Sequence, residues 1–181
     1  MRKLLAIVGV AIGAVVLLLV ILRIVGFNPG LTSPGMWLTG ELVTEPVSDW
    51  TFAAKERGFA IQTRQWFLPI LAHSVTSKPT HYKRNLYVSS MYPAGIKLPD
   101  GRHWNRNILA DPRVRIKIGN KLYDLKLVYV TDDAERDGIY RLSGGTHFAP
   151  GFRQHLWRVV PLDAEGSSVP PDMRASREAA P

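Results

Sequence analysis

The chain has 181 residues, enough for one domain with accessory segments, and its 46% hydrophobic and 21% charged residues are ordinary for a folded protein. With no cysteine, disulfides and thiolate metal sites are excluded. The net charge of +8 is concentrated: residues 55–126 carry fourteen Lys and Arg against four acids, whereas 1–54 balance and 127–181 are slightly acidic. A block this basic suits either an anionic partner or a solvated surface.

Leu4 to Leu22 form an uncharged run of nineteen residues. A helix of that length, rising about 1.5 Å per residue, matches a bilayer core of about 30 Å. The run is longer than the apolar part of a signal peptide, and "VGFNPGLT" has no small-residue cleavage pattern. Residues 1–27 therefore read as an uncleaved single-pass anchor in an inner or plasma membrane. Arg2, Lys3 and the free amino group precede the span and Arg23 follows it, so the positive-inside rule puts the N-terminus in the cytoplasm. The rest lies outside, in the periplasm if the cell is Gram-negative. Gly9 and Gly13 make a G-x-x-x-G that permits close helix pairing.

"NPGLTSPG" (28–35) reads as a linker, and "MWLTGELV" alternates as a first strand. "SDWTFAAKERG" predicts a two-turn helix ending at Gly58, followed by the strand "FAIQTRQW". "AHSVTSK" and "RNLYVSSMY" predict two more strands, joined by a turn around Pro79. In "LPDGRHWNRNILADP", Asp100 can cap a helix that Pro112 ends near Ala110, because a residue before proline avoids the α region. "RVRIKI" and "KLYDLKLVYV" flank Gly119-Asn120, a glycine-first hairpin signal. Val114, Ile116 and Ile118 would point into a core, leaving Arg113, Arg115 and Lys117 on a solvated face. "TDDAERDGIYRLSGG" has acids first and Gly144-Gly145 last, the polarity of a helix. "QHLWRVVPL" predicts a closing strand, and 163–181 reads as a disordered tail.

Short strands with a few short helices make a mainly β, α+β domain over 36–162, best arranged as a small antiparallel barrel with helices at its side. The run "NLYVSS…GRHWNRNILADPRVRIKIGNKLYDLKLVYVTDDAER" with the closing "WRVVPL" resembles the pyridoxamine 5′-phosphate oxidase-like split β-barrels, including the deazaflavin-dependent nitroreductase branch. That resemblance, spanning roughly 50–162, implies an FMN-binding split β-barrel, a homodimer, and FMN or deazaflavin as the cofactor of a small oxidoreductase. It places the phosphate grip at Thr63 and Arg64, Ser89 and Ser90, then Lys97 and Arg102, with Trp104 nearby as core anchor or cofactor stacker. Guanidinium groups and hydroxyls are the donors a phosphate-bearing small molecule needs.

The compact Arg-x-x-x-x-Lys of the oxidases is absent, Pro69 standing five residues after Arg64. Two alternatives accordingly stay open: a non-catalytic, membrane-tethered binding or scaffold module on the same barrel, and haem in the same cleft. The five histidines form no i,i+4 pair, so no metal site is expected. A tethered external domain also argues against nucleic acid as the partner of the basic block.

Overall fold

The computed structural model describes residues 1–30, 33–142 and 151–178. Helix α1 (Arg2–Val25) is long and apolar enough to cross a membrane, and none of its residues is buried against the domain. Among the described residues eight strands follow: β1 (Glu41–Val43), β2 (Phe59–Arg64), β3 (Ala72–Ser77), β4 (Thr80–Tyr82), β5 (Asn85–Pro93), β6 (Arg113–Ile118), β7 (Lys121–Tyr129) and β8 (Phe152–Val160). Helices α2 (His103–Ala110), α3 (Asp133–Leu142) and α4 (Pro171–Glu178) sit between or after them.

The sheet runs β3-β2-β6-β7-β8-β5-β4 with antiparallel neighbours throughout. Strand β1 pairs in parallel with Lys121–Tyr123, the part of β7 that β8, pairing only from Lys126 onward, does not cover. Strands β3 and β4 are the two ends of this path, yet only Lys78 and Pro79 separate them in sequence. Three Cα steps of 3.8 Å span at most about 11 Å. The sheet therefore has to curl until its edges approach at this corner, which makes it a half-barrel.

Alternation decides what fills it. Phe59 and Ile61, Leu86 and Val88, Ile116, Leu127 and Trp157 turn inward from five strands and pack on Trp104 and Ile108 of α2. The Trp104 and Trp157 rings meet edge to face at 5.6 Å. On the outer face Tyr87 and Leu156 pack with Ile139 and Tyr140 of α3. Arg113 is exposed and Arg115 half-buried, as the alternation of β6 predicts, and Arg115 pairs through both nitrogens with its cross-strand neighbour Asp124 at 2.6 and 2.7 Å.

Several boundaries differ from expectation, each for a local reason. The first strand shrinks to Glu41–Val43, because Leu38 instead gives its backbone N–H to the Gln62 side chain at 2.7 Å. The helix expected over 48–58 is a single 3₁₀ turn, Thr51–Lys55, fixed by buried Trp50 against Tyr123. The turn expected at Pro79 falls at Lys83-Arg84, both with positive φ, because β4 pairs with β5 and not with β3. Arg102, not Asp100, occupies the N-cap of α2. Asp111 before Pro112 is extended and stops that helix where expected. Of Gly119 and Asn120 only the glycine has positive φ, as a glycine-first turn requires.

The expected disordered tail needs the clearest correction. The Trp157 indole N–H donates to the Ser168 carbonyl at 2.8 Å, the Ser168 hydroxyl donates to the Ile108 carbonyl at 2.8 Å, and the Tyr129 amide donates to the Ser167 carbonyl at 2.8 Å. Buried tryptophan and helix-end groups needed partners, and the polar segment supplies them. Residues 179–181 and the Gly144-Gly145 helix end lie outside the described residues.

Candidate functional site

The residues expected to grip a phosphate fall into two groups. Thr63, buried on β2, donates its hydroxyl to the His73 carbonyl and accepts from the Asn107 side-chain amide at 2.8 Å, so it is committed to structure. Arg64 lies 3.7 Å from Asp111, the C-cap of α2, and Asp111 also binds Arg113 through both oxygens at 2.7 Å. Burial pushes the Asp111 carboxyl up, but the hydrogen bonds from Arg113 and the charges of Arg113 and Arg64 together outweigh it and hold the group below its usual range.

The second group sits at the other end of α2. Arg102 reaches the Met91 carbonyl at 3.3 Å, and Lys97 is exposed on the same loop. Eight helical residues, about 12 Å, separate this end from Asp111. Ser89 faces the outer surface with Tyr87, whereas Ser90 faces inward with Val88, as alternation demands. Trp104 is buried against Trp157, which makes it a core anchor. Arg64 and Arg102 are thus not brought to one point, while Ser90 and the Lys97–Arg102 loop share one mouth of the half-barrel.

That mouth has features the sequence reading missed. Ser90 pairs across the sheet with His155, and Tyr92 with Arg153, so these four residues line one face of β5 and β8. Tyr129 on β7 bonds the His155 Nδ1 through its hydroxyl at 3.0 Å, and the Tyr92 ring stacks on His155 at 5.5 Å. A cleft of about 390 Å³ opens beside them, lined by Tyr129, Arg153, Gln154 and His155 together with Arg136 and Tyr140 of α3. Small-molecule sites commonly measure roughly 300–1,000 Å³.

Electrostatics distinguish this mouth from a solvated surface. Burial lowers the His155 pKa, with Arg136 and Arg153 adding to the effect and Asp172 opposing it. The imidazole is therefore neutral near pH 7. Burial first, then Tyr129, pushes the Tyr92 hydroxyl up to about 12. Six buried side-chain polar atoms among the described residues lack a hydrogen-bond partner, and three of them, the Ser90 hydroxyl, the Tyr92 hydroxyl and the Gln154 carbonyl oxygen, belong to these paired strand ends. Groups left unpaired at such cost are commonly those a ligand satisfies.

The signal for this second set was present as period two: in "FRQHLW", Arg153, His155 and Trp157 share a face. Reading the last strand from Gln154 onward cut off its first cation. A scan of protein-family models finds none that matches the chain, and no curated protein is significantly similar to it.

Proposed function

We propose that this is a single-pass membrane protein whose half-barrel, of the split-barrel type, binds a flavin-class cofactor (FMN or deazaflavin) at the β5–β8 mouth and serves as a small oxidoreductase. The single observation that carries the reading is the pair of unpaired hydroxyls of Ser90 and Tyr92, on the strand face that carries His155 and Arg153, beside a cleft lined by Arg136, Arg153, Tyr129, Tyr140 and Phe152. Such a cleft suits a ligand with a flat ring and an anionic tail. Tyr129, Tyr140 and Phe152 offer aromatic surface, and Arg136 and Arg153 offer charge-assisted donors.

When bound, a flavin supplies two-electron hydride chemistry, and the protein contributes binding and orientation. Here Ser90 and Tyr92 would donate to ring carbonyls or ring nitrogens. Neutral His155, held by the Tyr129 hydroxyl, would place a polar nitrogen at the ring edge without adding a charge to the cleft. The bulk of the chain sits beyond the C-terminal end of α1, opposite the Arg2–Lys3 flank, and this favours the domain outside the cytoplasm.

The test is titration of the full chain in detergent with FMN, read by quenching of flavin fluorescence. Arg153→Ala should weaken binding about tenfold or more, the scale of one charge-assisted contact. Arg64→Ala should leave it unchanged. No binding in the micromolar range removes the flavin reading. Weakening by Arg64→Ala but not by Arg153→Ala would return the phosphate grip to the other end of α2.

A further inference from the structure

The β2–β3 loop, residues 65–71, is anomalous for a soluble surface. Trp66, Phe67, Leu68 and Ile70 are exposed by 48, 57, 41 and 73%, a run of large apolar side chains interrupted only by Pro69. The loop is nevertheless firmly built. The Gln65 amide donates to the Leu71 carbonyl at 3.0 Å, the Leu71 amide to the Leu68 carbonyl at 2.9 Å, and the Trp66 amide to the Asn107 side chain at 3.0 Å. A loop whose backbone is fixed while its apolar side chains point outward presents them to something.

The position of α1 identifies what. Its C-terminal end is pinned to the domain: the Phe27 amide donates to the Trp37 carbonyl, the Met36 amide to the Phe27 carbonyl, and the Thr39 hydroxyl to the Val25 carbonyl. Gly35 in turn exchanges both backbone hydrogen bonds with Ser74 on β3, three residues beyond the loop's end. Phe27 and Gly35, at the two ends of the expected linker, are consequently both held to the domain. Arg23, in the last turn of α1, lies over the Trp37 ring and shares a cleft of about 460 Å³ with Pro69 and Ile70. Arginine closing a transmembrane span sits at headgroup level. The loop therefore stands at the depth of the headgroups, beside the point where the anchor emerges.

We infer that the β2–β3 loop is a second membrane contact, inserting Trp66, Phe67 and Ile70 into the leaflet from which α1 emerges. Its occupant is lipid. Arg64, Arg113 and Arg115 line the same cleft with Asp124, and Asp111 pairs with Arg64 and Arg113 beside it, so with Arg23 its rim is net cationic and suits anionic headgroups. Tryptophan at an apolar–polar boundary is the side chain that such an interface favours. The inference rests on α1 spanning the bilayer, the reading proposed above.

The absence of cysteine allows nitroxide labels to be placed singly in the full chain. Ile70→Cys and Phe67→Cys probe the loop. Ala14→Cys probes the span, and Ala54→Cys, across the length of β2 or about 20 Å away, probes water. In phosphatidylcholine vesicles with a minority of phosphatidylglycerol, the loop labels should show a severalfold higher ratio of oxygen to nickel-chelate accessibility than Ala54→Cys, and Ala14→Cys the highest. Loop labels matching Ala54→Cys, with Ala14→Cys in lipid, would overturn the insertion and leave the span standing. Loop labels shielded from both reagents would mean a protein partner or a second copy covers the loop, and would overturn it too. An aqueous Ala14→Cys would overturn the span and the insertion together.

Discussion

Glu135 illustrates how one side chain exceeds its local role. An acid in the first turn of α3 is what the helix dipole favours. In the folded chain Glu135 also accepts from the Tyr87 hydroxyl and from two nitrogens of Arg158, tying the helix to β5 and β8. Burial, then Glu135 itself, raises the Tyr87 pKa far above its usual value, so the hydroxyl is always a donor here. Glu135→Gln should destabilise the protein by about 1–3 kcal/mol, discounted because Arg158 is partly exposed. Thermal melts of the full chain in detergent, followed by circular dichroism, should register a fall of several degrees. An unchanged midpoint would mean that solvent carries these contacts.

His73 sets a pH dependence. Burial, and then the His103 ring 4.9 Å away, lower its pKa from 6.5 to about 4. Between those values the unfolded chain holds a proton that the folded chain refuses, so stability falls as pH drops from about 6.5 toward 4. His155, shifted in the same direction, adds to the slope. His73→Gln should flatten the decline of melting temperature across that window. A variant with the original slope would assign the effect elsewhere.

At the scale of elements, the segment after β8 acts as a strap. It runs from β8 past β7 to the carbonyl of Ile108 on α2, and Gly166, with φ of +117°, passes so close to Val128 that a Cβ would sit 2.6 Å from its side chain. Deleting residues 163–181 would remove the three hydrogen bonds from Trp157, Tyr129 and Ser168 described above and expose Trp157, which is fully buried. At about 1 kcal/mol for each bond, the melting temperature should fall by roughly 6–12 °C. A truncated chain melting like the full one would show that the strap holds nothing. Its composition gave no hint of this, because polar, proline-containing sequence serves equally well as solvated chain or as a supplier of backbone carbonyls. Only the neighbouring Trp157 N–H and Tyr129 N–H distinguish the two.

For the molecule as a whole, the uneven charge and the apolar first helix make different predictions about the membrane. Electrostatic attachment through the basic block weakens at high salt, where the screening length shrinks to about 3 Å at 1 M. A spanning α1 does not depend on salt. The full chain should stay with the membrane fraction through both high salt and alkaline carbonate. Release by either would restrict attachment to the surface.

Elements carrying their own signals were legible from the sequence. The apolar run of α1, the alternation of β6 and β7, the glycine-first turn at Gly119 and the pre-proline stop at Asp111 each depend on neighbouring residues only, so periodicity and backbone sterics determine them. The sequence reading put Arg64 in one grip with Lys97 and Arg102, whereas in the structure Arg64 lies at the opposite end of α2 from the Lys97–Arg102 loop. Its direction depends on Asp111, a partner 47 positions away. The cleft of Tyr92, Tyr129, Arg153 and His155 was decided by which strands lie side by side, since β5 and β8 meet across some sixty residues of intervening chain. The same holds for the pinning of α1 beside the β2–β3 loop. Local pattern selects the faces of each strand and helix, and long-range pairing selects which faces meet.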